Sequence, residues 1–353
     1  MGKYKAALVG LTGISAGTPG LGPDVLLGGL MPHSHAAAYV ATPSVTLVAG
    51  CDLLPQRCEE FLRAWSPRLP HVRAYSDYRE MLDRERPDLL SVATPDHRHT
   101  QIVVDAAEGN VRGIYCEKPI ATTLAEADRM IAVCRERGVA LLINHTRRWF
   151  AEYLEARRLV REGAIGPLQR LIATLGGQRA MLFRNGTHLI DTVCFFAESD
   201  PDWVVGELDD ERHDYGPRYA GDGGHDPGTD PGASGYVHFR NGVRAFINAS
   251  QGTVRDFELE LIGPAGRIRI GNNAFELWRL MENGQPAVTH LQGPHTMRGD
   301  MVAAVAELIT LVEHGGRPSA SGEDGRRALS IALAILQSSA AGCRRVDFPI
   351  QDA

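Results

Sequence analysis

The stretch GIYCEKPIATTLAEADRMIAVCRERGVALLINH (Gly113–His145) decides the fold of the N-terminal half. GIYCE is a short apolar run and reads as a strand that stops at Glu117-Lys118-Pro119. TLAEADRMIAVCRERG then reads as a helix. Thr123 and Glu126 form a capping box, and Gly138 marks the stop. VALLINH is a second strand. Strands that are apolar throughout, joined by a helix, form a βαβ unit of a parallel sheet buried on both faces. Lys118 follows the strand end and precedes a proline. That is an odd position for a solvated charge, so the lysine is the first catalytic candidate.

Upstream the alternation repeats. KAALVG, VTLVAGCD (Val45–Asp52) and PDLLSVAT (Pro87–Thr94) read as strands, and QRCEEFLRAW and HTQIVVDAAEGN as helices. Five strands predict an α/β, doubly wound Rossmann-type domain over residues 1–146. Beyond it, after the helix EYLEARRLVREGAIG, strands dominate: LQRLIATLG, DWVVGEL, SGYVHFRNGVRAFINAS, DFELELIG and GRIRIGNNAFELWRL. Asn241-Gly242 and the turn GPAGR mark hairpins. Two apolar-faced helices close the chain. Residues 147–353 therefore predict an α+β domain with a mostly antiparallel sheet.

The 353 residues are 44% hydrophobic and 23% charged, with a formal charge of −6. These values suit a globular protein with sizeable cores. No basic block points to nucleic acid, and no run of about 18 apolar residues points to a membrane span. The six cysteines form no CxxC pair and sit mostly in apolar contexts. With no signal-peptide pattern at the start, a reducing, cytoplasmic location is the expectation. The Gly- and Asp-rich stretch 209–232 reads as a long mobile loop. Its alternatives are a cover over the substrate site or, through His213 and His225, a metal site. The His and Asp spacing matches no ligand pattern, so no metal is expected.

Parallel sheets of this kind bind ligands at the carboxyl ends of their strands. Gly10, Thr12, Gly13 and Ile14 form the first turn, an irregular version of the glycine fingerprint, and an insertion follows it to His35. Asp52 ends the second strand, where an acid accepts hydrogen bonds from the adenosine ribose and repels a 2′-phosphate. This favours NAD over NADP. Thr94 and Pro95 close a third strand where a dinucleotide would cross. His97 and His99 lie just beyond, either at the cofactor, capping the next helix or facing solvent.

Taken in order, the glycine turn, VAGCD, YSDYREML, VATPDHRHT, EKP, NHTRRW, LVREGAIGPLQRL, GTHLID, ELIGPAGRIRI and SGEDGRRALSIALAIL make the chain resemble the glucose–fructose oxidoreductase / inositol dehydrogenase (Gfo/Idh/MocA) family over nearly its whole length. The resemblance implies a Rossmann domain followed by an α/β domain on a large open sheet that often joins copies into homodimers or homotetramers. It implies NAD(H)-dependent oxidation or reduction of a secondary alcohol on a sugar, sugar derivative or cyclitol. Lys118 would be the general acid/base. Desolvation beside a positive nicotinamide would lower its pKa and let it take a hydroxyl proton. Glu117 would lie near the nicotinamide ribose. His188 matches the family's active-site histidine, and Asp191, one helical turn on, would orient it or hold substrate.

One residue departs from the pattern. Many alcohol-oxidising relatives carry aspartate four positions before that histidine, where this chain has Arg184. Arg184 could bind a carboxylate or phosphate of the substrate, turn outward or pair with an acid of the 209–232 loop. Arg147 would add positive charge at the same end or brace the domain junction. Two other activities stay open: redox-neutral glycoside cleavage through transient oxidation, and non-catalytic dinucleotide sensing.

Overall fold

The computed structural model describes residues 2–17, 34–209, 219–221, 230–251, 254–281, 283–291 and 300–350. Two compact units divide the chain, Met1–Trp149 with Met297–Gly325, and Phe150–Thr296 with Arg326–Ala353. The division expected at 146/147 differs from this by a return segment, which sends one C-terminal helix back to the first unit.

The first unit is built on a six-stranded sheet. Its strands are β1 (Tyr4–Val9), β2 (Val45–Cys51), β3 (Arg73–Tyr75), β4 (Leu89–Val92), β5 (Gly113–Cys116) and β6 (Ala140–Ile143). All pair in parallel, in the order β3-β2-β1-β4-β5-β6. This is the doubly wound topology, and its switch point falls between β1 and β4. β4 and β5 are buried at every position, which explains their mostly apolar sequences, with Ser91 the polar exception in β4. β3 escaped the sequence reading because an edge strand of three residues, none of them buried, leaves no such run. The helix Leu124–Arg137 starts as expected, with Thr123 Oγ1 accepting from the Glu126 amide at 3.2 Å. Glu126 does not close the box on Thr123 but reaches one residue further, to the amide and hydroxyl of Thr122.

The insertion after the glycine turn leaves both of its ends tied. The chain departs at Gly17 and returns at Ser34, whose hydroxyl donates to the Gly17 carbonyl at 2.5 Å. Ser34 also caps the helix His35–Ala41. That helix and the short helix Gly13–Ala16 together occupy the place of a single first Rossmann helix. From the return segment, the helix Asp300–His314 packs Leu308 and Val312 close to Gly113. Ala320 then accepts a hydrogen bond from the Ile143 amide at 2.9 Å.

The second unit carries a nine-stranded sheet. It comprises β7 (Arg170–Gly176), β8 (Pro201–Leu208), β9 (Ala233–Phe239), β10 (Arg244–Ser250), β11 (Asp256–Gly263), β12 (Gly266–Gly271), β13 (Phe275–Leu280), β14 (Pro286–His290) and β15 (Val346–Asp347). The order is β14-β13-β12-β11-β7-β10-β9-β8-β15, antiparallel except where β7 meets β10. On β10, Ala245, Ile247 and Ala249 point into the core and alternate with outward residues. The helix Gly186–Ala197 is buried along its whole length, and Ile335 of the helix Gly322–Ala340 lies over Gly206 and Gly235. β14, largely exposed, and the two-residue β15 offered no pattern to read.

The switch point depends on a missing side chain. Gly10 has φ +88°, and a Cβ there would lie 2.3 Å from the Ala93 carbonyl oxygen. Gly10→Ala should lower the unfolding free energy by about 1–3 kcal/mol, because a clash with backbone cannot be relieved by a rotamer change. Urea denaturation checks this, and an unchanged midpoint would contradict it.

Candidate active site

The dinucleotide end of the first unit is assembled from the carboxyl ends of β1, β2, β4 and β5. After β1, the Gly10 amide donates to the Cys51 carbonyl at 2.8 Å, which binds the turn to the end of β2. Thr12 and Gly13 are exposed and Ile14 is half-buried. Behind them the Ser15 hydroxyl is buried without a partner. Asp52 receives the Leu11 amide on Oδ2 at 2.9 Å and the Leu54 amide on Oδ1 at 3.0 Å. Each oxygen keeps a lone pair for a further donor. Arg57, the next arginine along, pairs with Glu60 at 3.0 Å instead of with Asp52. A carboxylate fixed this way, beside an open glycine turn, fits the ribose and pyrophosphate of a dinucleotide.

At the end of β4, Thr94 is half-buried, and Pro95 and His97 are exposed. His99 does not face solvent. It is fully buried, with Nδ1 3.0 Å from the Pro119 carbonyl and Nε2 3.0 Å from the Thr94 carbonyl. The ring lies between the β4 and β5 loops, and whichever nitrogen carries the proton donates to one of these two carbonyls.

After β5 come Glu117 and Lys118, each 7% exposed, and a cis Lys118–Pro119 peptide. Asn144 Nδ2 donates to Glu117 Oε1 at 2.5 Å, and His35 Nε2 lies 3.1 Å from the same oxygen. The Lys118 amide donates to Oε2 at 3.3 Å. Tyr115 in turn donates its hydroxyl to Asn144 Oδ1. Burial alone would raise the Glu117 pKa. The His35 hydrogen bond, the Lys118 and His35 charges and the Asn144 amide outweigh it and hold the carboxyl down to about 2. Glu117 is thus a buried carboxylate kept ionised beside Lys118.

Past β6, Thr146–Trp149 form a buried turn. Arg148 Nη1 meets Asp324 at 3.2 Å and the Ser319 carbonyl at 2.8 Å, with both charged side chains nearly inaccessible. Arg148 therefore fastens the return segment to the sheet. Arg147 is 5% exposed in the same turn.

In the second unit, Arg184, His188 and Asp191 gather at the start of the helix Gly186–Ala197. His188 is 9% exposed and Asp191 1%. Asp230 is fully buried and accepts the amides of Phe183 and Arg184 at 2.9 and 2.7 Å. Tyr219 stacks on Phe183 at 3.8 Å between ring centroids. Of the stretch expected to be a mobile loop, Tyr219 and Asp230 thus lie against the turn before His188, while His213 and His225 fall outside the described residues. Arg179 and Arg255 join Arg184 nearby. Gly177, two residues before Arg179, packs against Arg255, and the Arg179 carbonyl accepts from Asn185 Nδ2 at 2.7 Å. Arg179 is exposed as a residue, but cover over its guanidinium and then the charges of Arg184 and Arg255 pull its pKa below the ordinary arginine value.

Among the described residues no group of acids, histidines and cysteines could hold a metal ion, and no helix is long and apolar enough to cross a membrane. The sequence reading missed His35, Asn144 and Asp230, which act on the backbone and on other side chains. It also passed over one available signal. The chain has only three lysines, Lys3, Lys5 and Lys118, in a total of 37 Lys and Arg.

Folding lowers the Glu117 pKa from 4.5 to about 2. Its ionised form therefore adds stability that is complete above about pH 4.5 and is lost as the pH falls through 2, about 3 kcal/mol in all. The stability gap between wild type and Glu117→Gln should narrow by about 2 kcal/mol between pH 7 and pH 3. Denaturant unfolding at the two pH values measures it, and a constant gap would contradict the buried carboxylate.

Residues 25–145 match the GFO_IDH_MocA oxidoreductase family, NAD-binding Rossmann fold, and residues 153–269 match the GFO/IDH/MocA C-terminal domain. D-apiose dehydrogenase from Paraburkholderia graminis is 35% identical over 138 residues, which span 39% of this chain and 36% of that protein. Myo-inositol 2-dehydrogenase from Thermotoga maritima is 25% identical over 290 residues, 79% of this chain and 86% of that one. An oxidoreductase from Agrobacterium radiobacter, solved with NAD+, L-tartaric acid and magnesium, shares the fold at a TM-score of 0.76 and 19% identity, covering 98% of both chains. With both of its halves matched, the chain belongs to the GFO/IDH/MocA family of oxidoreductases and begins with an NAD-binding Rossmann domain.

Proposed function

We propose that the protein oxidises, or in reverse produces, a secondary alcohol on an anionic sugar, sugar derivative or cyclitol, with Lys118 as general acid/base and His188 assisting. The lysine carries this reading. Lys3 and Lys5 stand at the N-terminus, and Lys118, 7% exposed, is the one lysine in the rest of the sequence. Arginine holds its proton at every physiological pH, whereas a desolvated lysine releases it readily. A chain that uses arginine at nearly every cationic position but lysine at this strand end fits a group whose proton must move.

Bound NAD+ would supply the hydride acceptor. The carbinol carbon loses hydride, its hydroxyl loses a proton to Lys118 Nζ, and a carbonyl results. In reduction the Lys118 ammonium returns the proton to the carbonyl oxygen. The Gly10–Ile14 turn, Asp52, Thr94, Pro95 and His97 would hold the dinucleotide, with Glu117 near the nicotinamide ribose. The acid at the β2 end, with Arg57 engaged elsewhere, favours NAD over NADP. Arg184, with Arg179 and Arg255, supports an anionic group on the substrate, since burial and the charges of the other two weigh on the Arg179 guanidinium and a bound carboxylate or phosphate would relieve it. Asp191 would orient His188, and Arg147 would face substrate from the β6 end.

Six free cysteines, most of them buried, support a reducing, cytoplasmic location. On the outward side of the large sheet, Trp203, Tyr236 and Phe246 form a row at 5.1 Å spacings, with Phe246 46% and Ile172 43% exposed. A contiguous apolar row on a solvent-facing sheet supports pairing with a second copy of the chain. Phe246→Glu should then halve the mass measured by light scattering, and an unchanged mass would remove this face from assembly.

NADH formation across a panel of neutral and carboxylated or phosphorylated polyols tests the activity. Lys118→Met should lower kcat about 100-fold or more. Arg184→Ala should raise KM for the anionic substrates and leave neutral ones unchanged. Undiminished turnover in Lys118→Met would remove the lysine from the chemistry. Product release without net NADH would point to redox-neutral cleavage, and NADH binding without turnover to a sensor.

A further inference from the structure

Behind Glu117 runs a chain of buried polar groups. Tyr39 OH and Ser91 Oγ lie 2.8 Å apart, Ser91 Oγ is 2.9 Å from His35 Nδ1, and His35 Nε2 is 3.1 Å from Glu117 Oε1. His35, Tyr39 and Ser91 are all fully buried, and the Tyr115 ring packs 4.5 Å from the imidazole. An ionised carboxylate only accepts hydrogen bonds, so His35 Nε2 must carry the proton between them. The other groups facing Glu117 are Lys118, Asn144 and Cys116. The Cys116 thiol stays protonated, since burial and then the Glu117 and Asp96 charges push its pKa well up.

We propose that His35 is a positioning residue, acting at the nicotinamide end of the site by fixing the Glu117 carboxylate rather than by touching the cofactor. With no accessible surface it has no route to a ligand of its own. Its anchorage is unusual. The helix it begins is capped by Ser34, and Ser34 is bonded to Gly17 at the end of the glycine turn. Ser34 thus ties the start of this helix to the residue after the helix Gly13–Ala16, and its covalent neighbour His35 reaches the strand end that bears Lys118. Asn144 holds the same Glu117 oxygen from β6, so carboxylate torsion is limited from both sides. The inference rests on the reading that Glu117 serves the nicotinamide ribose.

Side-chain geometry supplies the test. Glutamine at position 35 can place its amide near the former Nε2 and donate to Glu117. Asparagine can place its amide only near the former Nδ1, toward Ser91. NADH and ADP binding are titrated by fluorescence and calorimetry in wild type, His35→Gln, His35→Asn and Glu117→Gln, after thermal melts show each variant folded. ADP lacks the nicotinamide riboside, so it reports on the adenosine end alone. His35→Asn should weaken NADH about tenfold and shift ADP by less than about twofold, and His35→Gln should restore NADH affinity. Equal loss of NADH and ADP in His35→Asn, or equal loss of NADH in His35→Gln, would make the role one of packing and overturn the proposal. NADH affinity unchanged in His35→Asn but weakened in Glu117→Gln would overturn it too, and would leave the reading of Glu117 standing. NADH affinity unchanged in Glu117→Gln would overturn that reading itself.

Discussion

A carboxylate buried at a strand end governs the first unit. Glu117 is 7% exposed and ionised, a state that burial opposes and that only the surrounding donors sustain. Two of those donors come from distant parts of the sequence. His35 stands at the start of a helix after the insertion, Asn144 at the end of β6, and the Lys118 amide next door. To satisfy one charge the fold must bring β5, β6 and that helix into fixed register. The same arrangement sets the chain direction at Lys118. Local electrostatics and placement of the proposed acid/base are therefore one constraint.

The other end of the strand surface is governed by space. Gly10 lets the β1 turn approach the Ala93 carbonyl, and Asp52 fastens that turn through the Leu11 amide. The residues that flank the insertion, Gly17 and Ser34, are hydrogen-bonded to each other. The irregular glycine fingerprint is thus compatible with a regular switch point.

Much of this was legible in the sequence for a physical reason. Strands buried on both faces are mostly apolar, so β1, β2, β4, β5 and β6 announced themselves, and the run of strands with hairpin turns marked the second sheet. The Thr123 cap and the Gly138 stop were local and could be read locally. β3, β14 and β15 are short or exposed edges, where burial imposes no pattern. The return of the helix Asp300–His314 to the first unit is a long-range pairing, and its apolar face alone cannot say which core it joins.

The candidate site divides along the same line. Asp52 and Lys118 stand at strand ends that apolar runs locate, whereas His188 was found only through the family resemblance. For His99 a place at the cofactor, a helix cap and a solvent-facing position were all open, and it is buried within reach of two backbone carbonyls contributed by separate loops. His35, Asn144 and Asp230 act only through partners far away in sequence. The scarcity of lysine was visible throughout, since it needs only a count. It also offers the most direct measurement on the central claim that Lys118 stands at the nicotinamide end of the site. Acylation of each of the three lysines by acetic anhydride can be followed by mass spectrometry with and without saturating NADH. The account predicts that NADH slows modification of Lys118 severalfold and leaves Lys3 and Lys5 unaffected. Modification of Lys118 at an unchanged rate would contradict it.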